Sequence, residues 1–143
     1  MSFGIEAVLF PVFVQVGLTF VLMFWMASLR VGALQRREVA MADIALRQQA
    51  WPARATKVAN AYHNQLELPL LFYVLVILAM FTRKADTFFV VMAWMFVAAR
   101  LAHAAIHVSG NDVRQRFYAF AVSALILLVM WIVFALRLLF AGL

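Results

Sequence analysis

Four long apolar runs constrain this chain more than any other feature. They cover about 7–29, 52–81, 87–108 and 113–140, each near the roughly 20 apolar residues that cross a bilayer. A segment in hydrocarbon must satisfy its backbone hydrogen bonds internally, so runs of this length and composition read as helices. The predicted fold is all-α, a four-helix membrane bundle, with residues 1–143 as one four-span domain. The first run is too long for a cleaved signal peptide. The second carries Pro52 at its start and Pro69 inside, and a kink is expected at Pro69.

Composition agrees. Hydrophobic residues make up 68% of the chain and charged residues 13%, against about half and a quarter in soluble domains. Cysteine is absent, which excludes disulfides, a thiolate nucleophile and thiolate metal sites from the protein itself. The net charge of +6 does not point to nucleic acid, because the basic residues flank the spans. Arg30, Arg36, Arg37, Arg47, Arg54 and Lys57 lie in or beside the first connection, and Arg114 and Arg116 beside the third. Arg83 and Lys84 stand against them in the second, with Arg137 near the end of span four. The positive-inside rule then puts the first and third connections in the cytoplasm and both termini outside.

Lys57, Asn60, Asn64 and Glu67 follow the 3-4-3 spacing of one helix face, and His63 lies beside them. Span three repeats the device with Arg100, His103 and His107, and span one offers Gln15 and Thr19. Arg30, Lys57, Asn60, His63, Arg100, His103, His107 and Arg116 are expected to gather in the cytoplasmic half of the bundle. Glu67 is the only acid expected deep within it. Polar groups at such depth need partners, cavities or ligands. Glu67 paired with Arg100 serves either bundle assembly or a ligand site, and the expected state of Glu67 is buried and paired. Asn60 and Asn64 also suit interhelical hydrogen bonds of about 1 kcal/mol each. Arg114 reads as an interface cation whose stem lies in apolar surroundings. His103 and His107 have i, i+4 metal-ligand spacing, but no third ligand accompanies them, so no metal site is predicted.

The stretch Asn60-Ala-Tyr-His-Asn64-Gln-Leu-Glu67-Leu-Pro69 resembles the second-span signature of the MAPEG family, the membrane-associated proteins of eicosanoid and glutathione metabolism. Arg100-Leu-Ala-His103, with His107 four residues on, is similar to the family's third-span pattern. Arg116, nine residues after His107, falls where the family's fourth-span arginine is expected. The resemblance covers essentially the whole chain. It implies a homotrimer with glutathione as co-substrate, bound between subunits near the cytoplasmic side. It further implies that Arg116 is the catalytic residue, sitting over the glutathione thiol. Glu67 would meet the ammonium, Asn64 the peptide backbone, and Lys57, Arg30 and Arg100 the carboxylates, with Asn60, His63, His103 and His107 completing the binding set. Three positions depart from the pattern. Asn60 stands where the family has an arginine, His107 where it has a tyrosine, and Phe117 where some members have a small hydroxyl residue.

The expected function is that of a glutathione-dependent transferase or peroxidase acting on hydrophobic electrophiles or lipid-derived substrates. The alternative is a non-catalytic member that binds a lipid or assists a partner, its polar ladder serving assembly. The expected location is a bacterial inner membrane, with the basic connection and the site on the cytoplasmic side.

Overall fold

The computed structural model describes residues 4–45 and 50–140; Arg47 lies outside them. Among the described residues six α-helices follow one another: α1 (Ile5–Gln35), the short α2 (Met41–Ile44), α3 (Ala53–His63), α4 (Leu68–Phe81), α5 (Thr87–Val108) and α6 (Val113–Leu139). A 3-10 turn over Asn64–Leu66 joins α3 to α4, and no strand occurs among the described residues. Among the described residues, four stretches are long and apolar enough to span a membrane: Ile5–Gln35, Ala53–Phe81, Thr87–Val108 and Val113–Leu139. The chain is an integral membrane protein. Phe13, Phe24, Ile77 and Leu125 are all exposed on the chain, as side chains facing hydrocarbon are.

Local chemistry explains where the helices start and stop. The side chains of Asp86 and Asp112 accept from the N–H groups of Phe89 and Gln115, both at 3.0 Å, and so cap α5 and α6. Each such cap contributes about 1 kcal/mol. Pro52 is the N-cap of α3, at the start of the second span as its place in the apolar run suggests. The ends of α1 and α4 close by the same hydrogen bonds. Arg37 and Glu38 donate to Leu34 and Ala33, and Arg83 and Lys84 to Met80 and Ala79. This closure needs a left-handed residue, usually glycine. Arginine takes the position both times, Arg37 at φ 55° and Arg83 at φ 56°, at a cost of about 1–2 kcal/mol each.

The second span breaks between α3 and α4. Pro69 has no N–H for the Gln65 carbonyl, and its ring crowds that group. The chain tightens into the 3-10 turn, and Glu67 leaves helical values at φ −100° and ψ −100°. A break at membrane depth is tolerated where it is buried in protein, and Arg100 donates to the Asn64 carbonyl within it.

Two apolar clusters hold the bundle. In the larger, Phe72 of α4 stacks on Phe96 of α5 with ring centroids 4.7 Å apart, and Val76, Val97, Leu127, Met130 and Phe134 close around them. The smaller joins Leu22 of α1, Val58 and Ala61 of α3 and Ala104 of α5. Ala61 and Ala104 are small, which lets the helix backbones approach closely. The second cluster sets α3 beside the C-terminal half of α5.

Candidate functional site

The break, the lower half of α5 and the start of α6 meet at one end of the bundle around a buried polar network. Arg100 is fully buried. Its Nη2 donates to the Asn64 carbonyl at 2.8 Å and, at a longer 3.5 Å, to the side-chain oxygen of Gln65. Gln65 is buried too, donating to the Ala61 carbonyl at 2.9 Å and accepting from Gln15 Nε2 at 3.0 Å. Thr19 donates to the Gln15 carbonyl at 3.1 Å. α1, the broken span and α5 are thus tied together by neutral amides and one guanidinium.

Above this network lies a cavity of about 450 Å³. Asn60, His63, Asn64 and Glu67 form the wall on the α3 side, His103 and His107 the α5 face, and Val113, Arg116, Phe117 and Phe120 the wall from α6. One wall is polar and carries a carboxylate; the other carries a cation among apolar rings. The His103 and His107 rings meet edge-on at 5.7 Å, and His103 lies 6.0 Å from Phe120.

Arg116 is held from two directions. Its Nη1 donates to Asn111 Oδ1 at 2.6 Å and lies 3.2 Å from His107 Nε2. A guanidinium has no acceptor, so Nε2 of His107 must accept and the imidazole proton resides on Nδ1. That Nδ1 is buried without a partner among the described residues, as is Nδ1 of His103. The Nε and Nη2 donors of Arg116 make no hydrogen bond among the described residues and remain for a ligand. Asn111 reaches Arg116 from the α5–α6 turn, where its own φ is 54°, a conformation that asparagine adopts more readily than most residues.

Seven of the ten residues singled out in the sequence therefore line one cavity: Asn60, His63, Asn64, Glu67, His103, His107 and Arg116. Three do not. Arg100 lies beneath it in the network, Lys57 Nζ donates to the Ser109 carbonyl at 3.3 Å, and the Arg30 guanidinium lies 4.9 Å from the centre of the Trp51 ring. The expected state of Glu67 needs correction. Within the chain Glu67 is exposed to the cavity and forms no salt bridge with Arg100; the ion pairs among the described residues are Arg36–Glu38 and Arg137–Asp86. The Arg100 guanidinium meets the Asn64 carbonyl instead, and Glu67 faces the cavity with Asn60 and Asn64.

Gln65, Asn111 and Val113 were not anticipated as parts of this region. Gln65 lies one residue off the polar stripe. A polar residue at i−4 from Pro69 was the available signal, because that carbonyl loses its donor. Among the described residues, no three His, Asp or Glu side chains come together as a metal site would require.

The model of the MAPEG family matches residues 8–136, nearly the whole chain. The chain belongs to the MAPEG family. Comparison with curated proteins and with solved structures gave no match. The MAPEG match spans all four membrane helices, so the broken second span, the α5 histidines and Arg116 all fall within it.

Proposed function

We propose that this MAPEG protein is a glutathione-dependent transferase or peroxidase acting on hydrophobic electrophiles or lipid-derived substrates that enter from the bilayer. The observation that carries this reading is the cation held at the apolar wall: Arg116, fixed by Asn111 and His107, beside Phe117 and Phe120. A thiol is acidified where a fixed positive charge stabilises its thiolate, and an electrophile of low polarity needs an apolar surface beside that sulfur. Phe117 is 64% exposed on the chain, so the apolar wall continues to the lipid-facing side.

Glutathione fits the lining by charge. Its ammonium meets Glu67, and its amide groups meet Asn60 and Asn64. His63 stands at the same wall as a further polar contact. The thiol lies at Arg116, which holds the sulfur as thiolate. The thiolate donates its electron pair to the electrophilic atom, a bond from sulfur forms, and the displaced group leaves with its electrons. Arg30 and Lys57 stand away from the cavity of their own chain, and they reach a glutathione carboxylate only across a subunit boundary. The assembly that supplies this boundary is the homotrimer, with the basic connection and the cavities on the cytoplasmic side of a bacterial inner membrane.

Retention of the purified protein on immobilised glutathione with elution by free glutathione, followed by turnover of a chloronitroarene or a fatty-acid hydroperoxide, tests the proposal. Retention and turnover support it. Absence of both contradicts it and favours the non-catalytic reading, in which the cavity holds a lipid.

A further inference from the structure

At the opposite end of the bundle a second cavity, of about 590 Å³, opens between the α4–α5 turn and the last turns of α6. Arg83, Lys84 and Arg137 line it together with Asp86, and Leu136 and Phe140 give it an apolar side. The acid does not cancel the three cations. Asp86 Oδ1 accepts from Arg137 Nη1 at 2.8 Å and from the Phe89 N–H at 3.0 Å, and Arg137 also lies 5.5 Å from the centre of the Phe88 ring. Arg137 and Asp86 form a closed unit. The side chains of Arg83 and Lys84 line the same space, and neither enters a salt bridge with a described residue. Arg83 moreover occupies the left-handed closing position of α4, where glycine is the residue of least strain.

Two cations in no salt bridge with a described residue, at the end of a membrane span and above an apolar surface, suit an anion carrying a hydrocarbon chain. We propose that this cavity binds the phosphate of an anionic phospholipid in the leaflet opposite the candidate active site. Arg83 and Lys84 take the phosphate oxygens, Arg83 through its planar fork, while Leu136 and Phe140 contact the first carbons of the acyl chain. A free phosphate ion shares the headgroup chemistry but uses no apolar wall. The lipid is the better occupant because that wall is continuous with the exposed side chains Leu136 and Leu139 of α6.

Native mass spectrometry of the detergent-solubilised protein tests this. The probes are phosphatidylglycerol, phosphatidylcholine of the same chain length, and inorganic phosphate, each added in turn. The wild type is expected to retain phosphatidylglycerol about tenfold better than phosphatidylcholine and not to retain inorganic phosphate. The double variant R83G/K84Q is expected to lose that preference. Its fold is protected because glycine relieves the strained φ, and thermal unfolding checks this directly. Arg114→Gln, at the other end of the bundle and exposed, is the charge control and should keep the preference. No preference in the wild type, or an equal preference in a folded R83G/K84Q, overturns the proposal. Retention of inorganic phosphate that depends on Arg83 and Lys84 overturns the lipid assignment in favour of a free-anion site.

Discussion

Nη2 of Arg100 lies 2.8 Å from the carbonyl oxygen of Asn64, so a cation on α5 binds the backbone of the neighbouring span at the break, one residue before the carbonyl that Pro69 leaves without its donor. The consequence reaches the cavity above. The 3-10 turn fixed by this bond carries Asn64, and Glu67 follows immediately. Both line the cavity.

Removing that bond should be costly. Arg100→Ala removes a donor from the Asn64 carbonyl and empties a fully buried site, and together such losses cost about 2–4 kcal/mol. Arg54→Ala, on the exposed face of α3, should change stability by less than about 0.5 kcal/mol. Thermal unfolding in one detergent, compared across both variants, checks the contrast.

Gln15 and Gln65 should be coupled. Gln65→Leu leaves the Gln15 amide without a partner, and Gln15→Leu takes the closest donor from the Gln65 side-chain oxygen, each at about 1–2 kcal/mol. The double variant should cost less than the sum, since no orphan remains, with a coupling of about 0.5–1.5 kcal/mol. A double-mutant cycle by denaturation measures it, and strict additivity would mean that the 3.0 Å contact contributes nothing.

These two predictions also mark what the residues disclosed in advance. The four spans follow from the apolar runs, and the broken second span from Pro69, because both depend only on local chemistry. The cluster of polar residues follows from helical spacing in spans two and three. The partner of Gln15 was not legible, because a pair between helices depends on how each is rotated and how deep it sits. Glu67 misled for a related reason. Helical spacing sets which residues share a wall, and Asn60, Asn64 and Glu67 do share one, but it does not fix whether the Arg100 guanidinium meets a carboxylate or a backbone carbonyl. Arg30 and Lys57 carry the charge that suits a carboxylate, yet Trp51 and the Ser109 carbonyl occupy them in the chain.

Glu67 should separate binding from stability. It is exposed on the chain, so Glu67→Gln should alter unfolding by less than about 0.5 kcal/mol. If it meets the ammonium of glutathione, the same change should weaken glutathione affinity about tenfold or more, because a charge-assisted hydrogen bond contributes about 1.5–3 kcal/mol. Calorimetry with glutathione gives the affinity.

The Asp86–Arg137 pair predicts a pH dependence. Burial alone would raise the Asp86 carboxyl, but the Arg137 guanidinium and the Phe89 N–H outweigh it and hold it below its ordinary value. The stabilisation is therefore present above the unfolded value near 3.9 and is lost as pH falls through the lower, folded value. The Asp86 side chain is half exposed, so the pair contributes only about 0.2–1 kcal/mol. Asp86→Asn keeps an acceptable cap and should show slightly lower stability at neutral pH with a flatter acid limb. Unfolding midpoints from pH 7 down to pH 3 read both.

The role of Arg116 is tested most directly by titrating the ultraviolet absorbance of the glutathione thiolate bound to wild type and to Arg116→Ala. The wild type should show bound thiolate at neutral pH, titrating well below the value of about 8.5 for a free thiol. Arg116→Ala should move that titration back toward the free value and lower kcat, while glutathione affinity changes by only a few-fold. An unshifted thiol in the wild type, or the same depressed titration with Arg116 removed, would contradict the account.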